Sequence, residues 1–248
     1  MTKSNSEIHR LSSDELRSYV IESYDSIAKE WDISRSDNRA SFFLLRDRIS
    51  KGSKVLDIGC GNGRLFPFLR DEFNVSYTGM DNSKELIEIA KKRYPEASFE
   101  VADALALPYE DETFDFVTSF AVLHHIPGEL NRQKFVEEIT RVLKPNGKAL
   151  ITVWNVFQPR YIKYLKWRRL KKIFNLITKK NPEFSSQDAL IPFGKNKVPR
   201  YVHGFTPNEL SSLVHSPLGI DEICFTTKEE KMKRWKKTYN LCLFVTKK

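Results

Sequence analysis

Apolar and polar positions follow two rhythms along the chain. From residue 14 to residue 31, Leu16, Tyr19, Val20, Tyr24, Ile27, Ala28 and Trp31 recur at steps of three and four, the spacing of one helix face. A second helix is expected from about Asn38 to Ile49. Then short apolar runs alternate with amphipathic stretches. "KVLDIG" reads as a buried strand, and "GRLFPFLRDEF" as a helix with Pro67 near its first turn. "VSYTGMD" is a strand, and "SKELIEIAKKRY" a helix capped by Ser83. "ASFEVAD" and "FDFVTSF" are further strands, "RQKFVEEITRVL" is an amphipathic helix stopped by "KPNG", and "KALITVW" is a fifth strand. Strands alternating with helices predict a parallel sheet with right-handed crossovers. The late strands "IDEICFTTK" and "YNLCLFVTK" predict an antiparallel hairpin closing the sheet edge. The stretch between Trp154 and Ile220 fits neither rhythm, and no repeat is visible.

Composition narrows this picture only a little. The 248 residues suit one domain, residues 1–248, and 40% apolar residues suffice for a core. No run of apolar residues is long enough to span a membrane, and "MTKSNSEIHRLSSDE" lacks the apolar centre of a secretory signal. Cys60, Cys224 and Cys242 are scattered singly, which signals neither zinc nor a disulfide framework and fits a reducing, cytoplasmic setting. Lys and Arg total 41 against 32 acids, a formal charge of +9 that attracts polyanions or simply keeps the chain soluble.

Candidate chemistry begins at "VLDIGCGNGR", where Gly59, Gly61 and Gly63 follow a strand ending in Asp57. A glycine turn of this kind can hold NAD, a flavin or another nucleotide, and the absence of Gly-Lys-Ser/Thr excludes a P-loop. Ligands of open α/β sheets bind at the carboxyl ends of the strands, where Asp57, Asp81, Asp103 and Ser119 all fall. Asp57 suits a cationic amino group. Asp81 can accept from two ribose hydroxyls, and Asp103, followed by Ala104 and Leu105, can bond an adenine amine. An amino acid, a ribose and an adenine in series describe S-adenosylmethionine.

From Val55 to Trp154 the chain resembles the class I S-adenosylmethionine-dependent methyltransferases. "LDIGCGNG", "GMDNS", "VADALALPYEDETFDFVTSFAVLHHI" and "LKPNGKALITVW" match that family's motifs in order. The resemblance implies a Rossmann-like, seven-stranded, mostly parallel sheet with helices on both faces and a C-terminal antiparallel hairpin. It implies a cofactor site that includes Asn82 and Ser119 besides the three glycines and three acids. Residues 51–157 are then the cofactor core, and residues 1–50 are helices covering it, with Tyr24 and Trp31 over the ligand or in the core.

The acceptor is approached first by exclusion. No Asp/Asn-Pro-Pro-aromatic element follows the fourth strand, and no cysteine nucleophile lies there, so methylation of base amines or of cytosine C5 is not expected. That place holds His124 and His125, which can face an anionic acceptor or be structural. "PRYIKYLKWRRLKKIFNLITKK" carries nine Lys or Arg and no acid, with apolar residues at helical spacing. Such a segment can track phosphates, lie on a membrane surface or bind a partner; nucleic acid is the favoured reading.

Ser186-Gln187-Asp188-Ala189-Leu190-Ile191-Pro192-Phe193 and Arg200-Tyr201-Val202-His203-Gly204-Phe205 resemble the tRNA methyltransferases that complete 5-methoxycarbonylmethyluridine at the wobble position. "SYDSIAKEWDISR", ending in Arg35, resembles that family's N-terminal segment. The chain departs from the pattern at Ser185, at Phe193, and at Val153-Trp154-Asn155-Val156-Phe157-Gln158, which lacks a glutamate. The resemblance implies a carboxylate acceptor on uridine, tRNA as partner and a small zinc-containing activator subunit as a candidate second partner. Residues 158–205 would then hold the basic insert and the acceptor segment, and residues 206–248 a C-terminal helix and the hairpin. Arg35 and Arg200 are the expected acceptor clamp, with His124 and His203 beside them; Tyr201 and Phe205 stack on a base or belong to the core. A small-molecule methyltransferase of the quinone or lipid type shares the motifs through Trp154 and is the competing expectation.

Overall fold

The computed structural model describes residues 3–35, 42–165, 184–227, 231–232 and 238–248. Among these, helices α1 (Asn5–Ile8) and α2 (Ser13–Ser34) open the chain. Both carry capping boxes, Ser4 with Glu7 and Ser12 with Glu15, which satisfy the free N–H groups of their first turns. Strands β1 (Lys54–Ile58), β2 (Ser76–Asp81), β3 (Ser98–Val101), β4 (Phe114–Phe120) and β5 (Leu143–Trp154) alternate with helices α3 (Phe66–Phe73), α4 (Lys84–Arg93) and α5 (Glu129–Val142). Ribbon strands β6 (Asp188–Phe193) and β7 (Val198–His203) follow. A short helix, Pro207–Ser212, then leads to β8 (Leu218–Thr226), the two-residue β9 (Lys231–Met232) and β10 (Asn240–Lys247).

The main sheet has the order β3-β2-β1-β4-β5-β10-β8-β9. Its first five strands are parallel, while β10 runs antiparallel to β5 and β8 antiparallel to β10. The predicted seven strands and terminal hairpin are therefore present, with β9 added at the edge. One apolar core, around Phe135, Ile139, Val117 and Leu243, fills the α5 side. The other, around Leu69, Ile87, Phe66 and Phe116, fills the α3 and α4 side.

Three elements differ from expectation. Of the helix expected over residues 38–49, the described part is a single 3-10 turn, Phe42–Leu45, and Asp47 has φ 64°. "KPNG" lies within β5, where Asn146 at φ 62° accompanies a shift in pairing from Phe114↔Leu143 to Phe116↔Lys148. The segment that fitted no rhythm contains the β6–β7 ribbon, a separate two-stranded sheet paired from Asp188↔His203 to Phe193↔Val198. Most of the basic segment, residues 166–183, lies outside the described residues.

Candidate active site

A cavity of about 520 Å³ opens over the carboxyl ends of β1, β2 and β3, between α2 and the β6–β7 ribbon. The loop after β1 builds its floor. Gly59 at φ 71° and Gly61 at φ 57° take conformations that glycine adopts without strain. A Cβ on Gly61 would stand 2.8 Å from the Trp31 ring, and one on Gly59 2.2 Å from Val122 Cγ2. The Gly61 N–H donates to Asp81 Oδ2 at 3.0 Å and the Ser83 N–H to Asp81 Oδ1 at 2.9 Å, so the Asp81 carboxylate is aimed by backbone. Burial nonetheless holds the Asp81 pKa above the ordinary carboxylate value.

Asp57 is 2% exposed and lines the cavity. Thr118 and Tyr77 hydroxyls donate to its two oxygens at 2.8 and 2.9 Å. Burial pushes its pKa up to about 6 against the pull of those hydrogen bonds. Asp103 is more committed than the sequence suggests: Arg17 Nη2 reaches its Oδ2 at 2.6 Å, and the Leu105 N–H its Oδ1 at 2.9 Å. A ligand amine placed at Asp103 would share this carboxylate with Arg17.

Helix α2 is tied down over each of these loops in turn. Arg17 pairs with Asp103 beyond β3, Asp25 accepts from Ser83 Oγ at 2.5 Å beyond β2, and Asp32 accepts from Asn62 Nδ2 at 2.6 Å in the glycine loop. Arg93 holds the other oxygen of Asp32 at 2.7 Å. Tyr24 and Trp31 project from α2 into the cavity, and Arg35 caps the helix. Trp31 carries two cations, Arg35 at 5.7 Å and Arg64 at 5.8 Å from the ring centroid. Burial lowers both arginine pKa values, Arg64 to about 10; the Arg35 charge adds to the shift of Arg64 and the Arg200 charge to that of Arg35, and Arg64 remains charged near neutral pH. The Arg35 Nε is buried without a hydrogen-bond partner.

On the far wall, Arg200 from β7 is 4% exposed and lies over Trp154 at 4.9 Å and over Phe193 at 4.5 Å. Its Nε and Nη1 have no partner. His125 stands beside it, its Nδ1 at 2.7 Å from the Tyr201 carbonyl and its Nε2 at 2.7 Å from the Tyr24 hydroxyl. Burial and the Arg200 charge push its pKa down to about 3, so the ring is neutral; Nδ1 donates to the carbonyl and Nε2 accepts from Tyr24.

The cavity thus brings together Tyr24, Trp31, Arg35, Asp57, Gly59, Gly61, Asp81, Asn82, Asp103, Ala104, Leu105 and Arg200 of the expected residues. Four expected residues fall outside its lining. Gly63 packs against Phe99 and Tyr94, and Ser119 is fully buried in β4. His124 is fully buried behind His125, ring centroids 4.2 Å apart, and burial holds its pKa well below the ordinary value. His203 is bolted between Asp188 Oδ1 at 2.5 Å and Glu209 Oε1 at 2.7 Å, so it braces the ribbon instead of facing the cavity. Tyr201 and Phe205 are core residues, 1% and 3% exposed. Sequence reading missed Arg17 and Arg64, and it favoured His124 where the structure brings His125 to the cavity. The first has a signal: Arg17, Tyr24 and Trp31 are spaced by seven and share one face of α2.

The fold and this cavity define a class I, Rossmann-like methyltransferase, and the residues fit S-adenosylmethionine. The Asp81 carboxylate is oriented by backbone N–H groups, Asp57 faces the same cavity, and the buried Arg35 Nε has no hydrogen-bond partner. Residues 56–151 match the family model described as "Methyltransferase domain". The chain is 32% identical over 216 residues to the tRNA (carboxymethyluridine(34)-5-O)-methyltransferase of Schizosaccharomyces pombe, covering 81% of this chain and 88% of that one. It is 38% identical over 154 residues to the protein of that name from Arabidopsis thaliana, covering 62% of this chain and 37% of that one. The chain therefore belongs to the tRNA (carboxymethyluridine(34)-5-O)-methyltransferase family, though it spans only about a third of the length of the plant relative. A solved chain from the complex between the Haloferax volcanii Trm112 methyltransferase activator and the putative methyltransferase shares the fold. Its TM-score is 0.62 at 19% identity, over 90% of this chain and 97% of that one.

Proposed function

We propose that this chain methylates the carboxylate of 5-carboxymethyluridine at the tRNA wobble position to give the methyl ester. The observation that carries the reading is Arg200: a guanidinium 4% exposed, flattened against Trp154 and Phe193, with Nε and Nη1 unpartnered in the same cavity as the cofactor loops. A buried cation with free donors calls for an anion, and a carboxylate is the chemistry a guanidinium edge fits best. The S. pombe and Arabidopsis relatives, by their names, act on carboxymethyluridine.

S-Adenosylmethionine, when bound, supplies an electrophilic methyl group. Everything else falls to the chain. Asp81 and Asp57 fix the ligand's ribose and amino group, and Trp31 closes the glycine loop. Arg200 and Arg35 orient the acceptor. A carboxylate is ionised at neutral pH, so no general base is required, and the neutral His125 and Tyr24 need move no proton. Holding the oxygen in line and excluding water then supplies most of the acceleration. The clamp must leave one acceptor oxygen free, since a fully paired carboxylate is a poorer nucleophile.

The partner reading follows the same line. No helix among the described residues is long and apolar enough to cross a membrane. The H. volcanii chain forms a complex with a methyltransferase activator, which supports a small activator subunit for this chain too. A monomeric mass with full activity for the purified chain alone would exclude an obligate helper. The acceptor reading is tested by following labelled methyl into tRNA and then treating it with mild alkali. Label released as methanol supports the ester; alkali-stable label overturns it. Arg200→Ala should lower transfer by roughly 10- to 100-fold while cofactor affinity holds, the range for losing a charged hydrogen bond of about 1.5 to 3 kcal/mol. Arg200→Lys should recover only part, because an ammonium lacks the planar fork.

A further inference from the structure

We propose that Tyr161 is the platform on which the acceptor base stacks and that Arg160 takes the adjoining backbone phosphate; the inference rests on the RNA-carboxylate reading above. Five planar groups of the cavity wall touch in sequence. Phe193 and Arg200 lie 4.5 Å apart, Arg200 and Trp154 4.9 Å, Trp154 and Tyr161 6.0 Å with ring planes 11° apart, and Tyr161 and Arg160 5.5 Å. All five line the same cavity.

Arg200 fixes where the acceptor carboxylate sits. In 5-carboxymethyluridine the carboxylate hangs on a short arm from the ring, so the base must lie within that arm's reach of Arg200. Trp154 and Phe193 are taken up against Arg200 itself. Trp154 is further covered by Tyr161 and by His124, whose ring centroid lies 4.9 Å away. Tyr161 is half-buried, and the group over its ring is Arg160, which is exposed and has no ion pair among the described residues. A solvent-exposed cation seated on such a half-buried ring is held more weakly than a stacked base. An incoming base therefore displaces Arg160 from Tyr161, and the freed guanidinium is left beside the strand that delivers the base. A backbone phosphate is the anion it meets there. Unstacked bases presented on aromatic rings are the general way single-stranded RNA loops are read.

The test uses the full chain with S-adenosylhomocysteine bound and an anticodon stem–loop carrying 5-carboxymethyluridine, followed by fluorescence anisotropy and then by methyl transfer with S-adenosylmethionine. Tyr161→Ala should weaken stem–loop binding by about 10- to 100-fold, and Tyr161→Phe should bind nearly as wild type, because the ring and not the hydroxyl carries the contact. Arg160→Ala should weaken binding and reduce the slope of log affinity against log salt by about 0.7, one single-strand phosphate. Arg160→Lys should restore that slope. Cofactor affinity should be unchanged in all four. Unchanged binding by Tyr161→Ala, a Tyr161→Phe variant as weak as Tyr161→Ala, or an unchanged salt slope for Arg160→Ala overturns the inference while leaving the acceptor reading in place. A wild-type chain that binds the stem–loop but, with its activator subunit present, transfers no methyl to it overturns the acceptor reading, and the platform falls with it.

Discussion

Two cavity acids and two buried histidines show how environment sets the work of a residue. Asp57, with its pKa near 6, is a carboxylate whose ionised form is penalised by burial and only partly rescued by Thr118 and Tyr77. An arriving ammonium favours that ionised form, so the sign of the pH effect is fixed. Above pH 6 Asp57 is already ionised and cofactor affinity is level. Below pH 6 binding must first remove a proton, and affinity falls toward tenfold per pH unit. Calorimetric titration from pH 5 to pH 8 checks this. Asp57→Asn should weaken binding at pH 7.5 and flatten most of the slope; the remainder belongs to Asp81, whose pKa is also raised by burial. A wild-type affinity independent of pH across that range removes Asp57 from the amino-group role. The histidines divide in the opposite way. His125 is kept neutral by burial and the Arg200 charge, whereas His203 gains two carboxylate partners that outweigh its burial and raise its pKa.

At the scale of elements, the β6–β7 ribbon and α2 decide what the cavity can hold. The ribbon delivers Arg200, and it is fastened by the Asp188–His203–Glu209 chain, to which Tyr201 adds a hydroxyl bond on Asp188 at 2.8 Å. His203 has a higher pKa folded than unfolded. Its contribution to stability is therefore complete below the unfolded value of about 6.5 and is lost as pH rises through the raised folded value. Melting temperature should fall over that window, and His203→Gln should melt lower at pH 6 while losing the pH-dependent part. Breaking such a buried pair costs about 3 to 5 kcal/mol. Equal pH profiles for the two chains would show that His203 is neutral in the fold. Much of this level was legible in the sequence. Strands β1 to β5, α2 through α5 and the terminal hairpin follow from period, Tyr24 and Trp31 from the apolar face of α2, and the three acids from strand ends. What was not legible depends on pairing across the chain. Nothing local in "SQDALIPF" says that it pairs with "VPRYVH", or that the ribbon's register turns Arg200 inward while His203 is spent on Asp188. Likewise Asp25 and Asp32 look like ordinary solvated helix positions until α2 is laid across the loops they hold.

For the whole molecule, the question is how a chain with a formal charge of +9 finds and keeps a polyanion. Under the proposed function the cavity takes one nucleotide, and affinity for RNA comes mainly from phosphates, through cations that release bound counterions. The greatest density of unbalanced positive charge is the stretch from Pro159 to Lys180, of which Arg160 and Lys163 belong to the described residues. Arg160 lines the cavity rim, so the stretch begins at the acceptor site and continues from it in sequence. The expected division of labour is a cavity that selects the base and a basic segment that supplies sequence-independent grip. Replacing Lys166, Arg168, Arg169 and Lys171 together by Gln removes four cations without touching the described lining. Affinity for whole tRNA should fall, and the slope of log affinity against log salt should drop by up to about 3.6 units on duplex RNA if all four meet phosphates. Affinity for S-adenosylmethionine should not change, and transfer into the anticodon stem–loop at saturating concentration should stay close to wild type. A filter-binding series from 50 to 300 mM salt, run beside calorimetry, separates the two effects. If tRNA binding keeps its wild-type slope, the segment does not track phosphates, and the net charge then serves solubility or another partner.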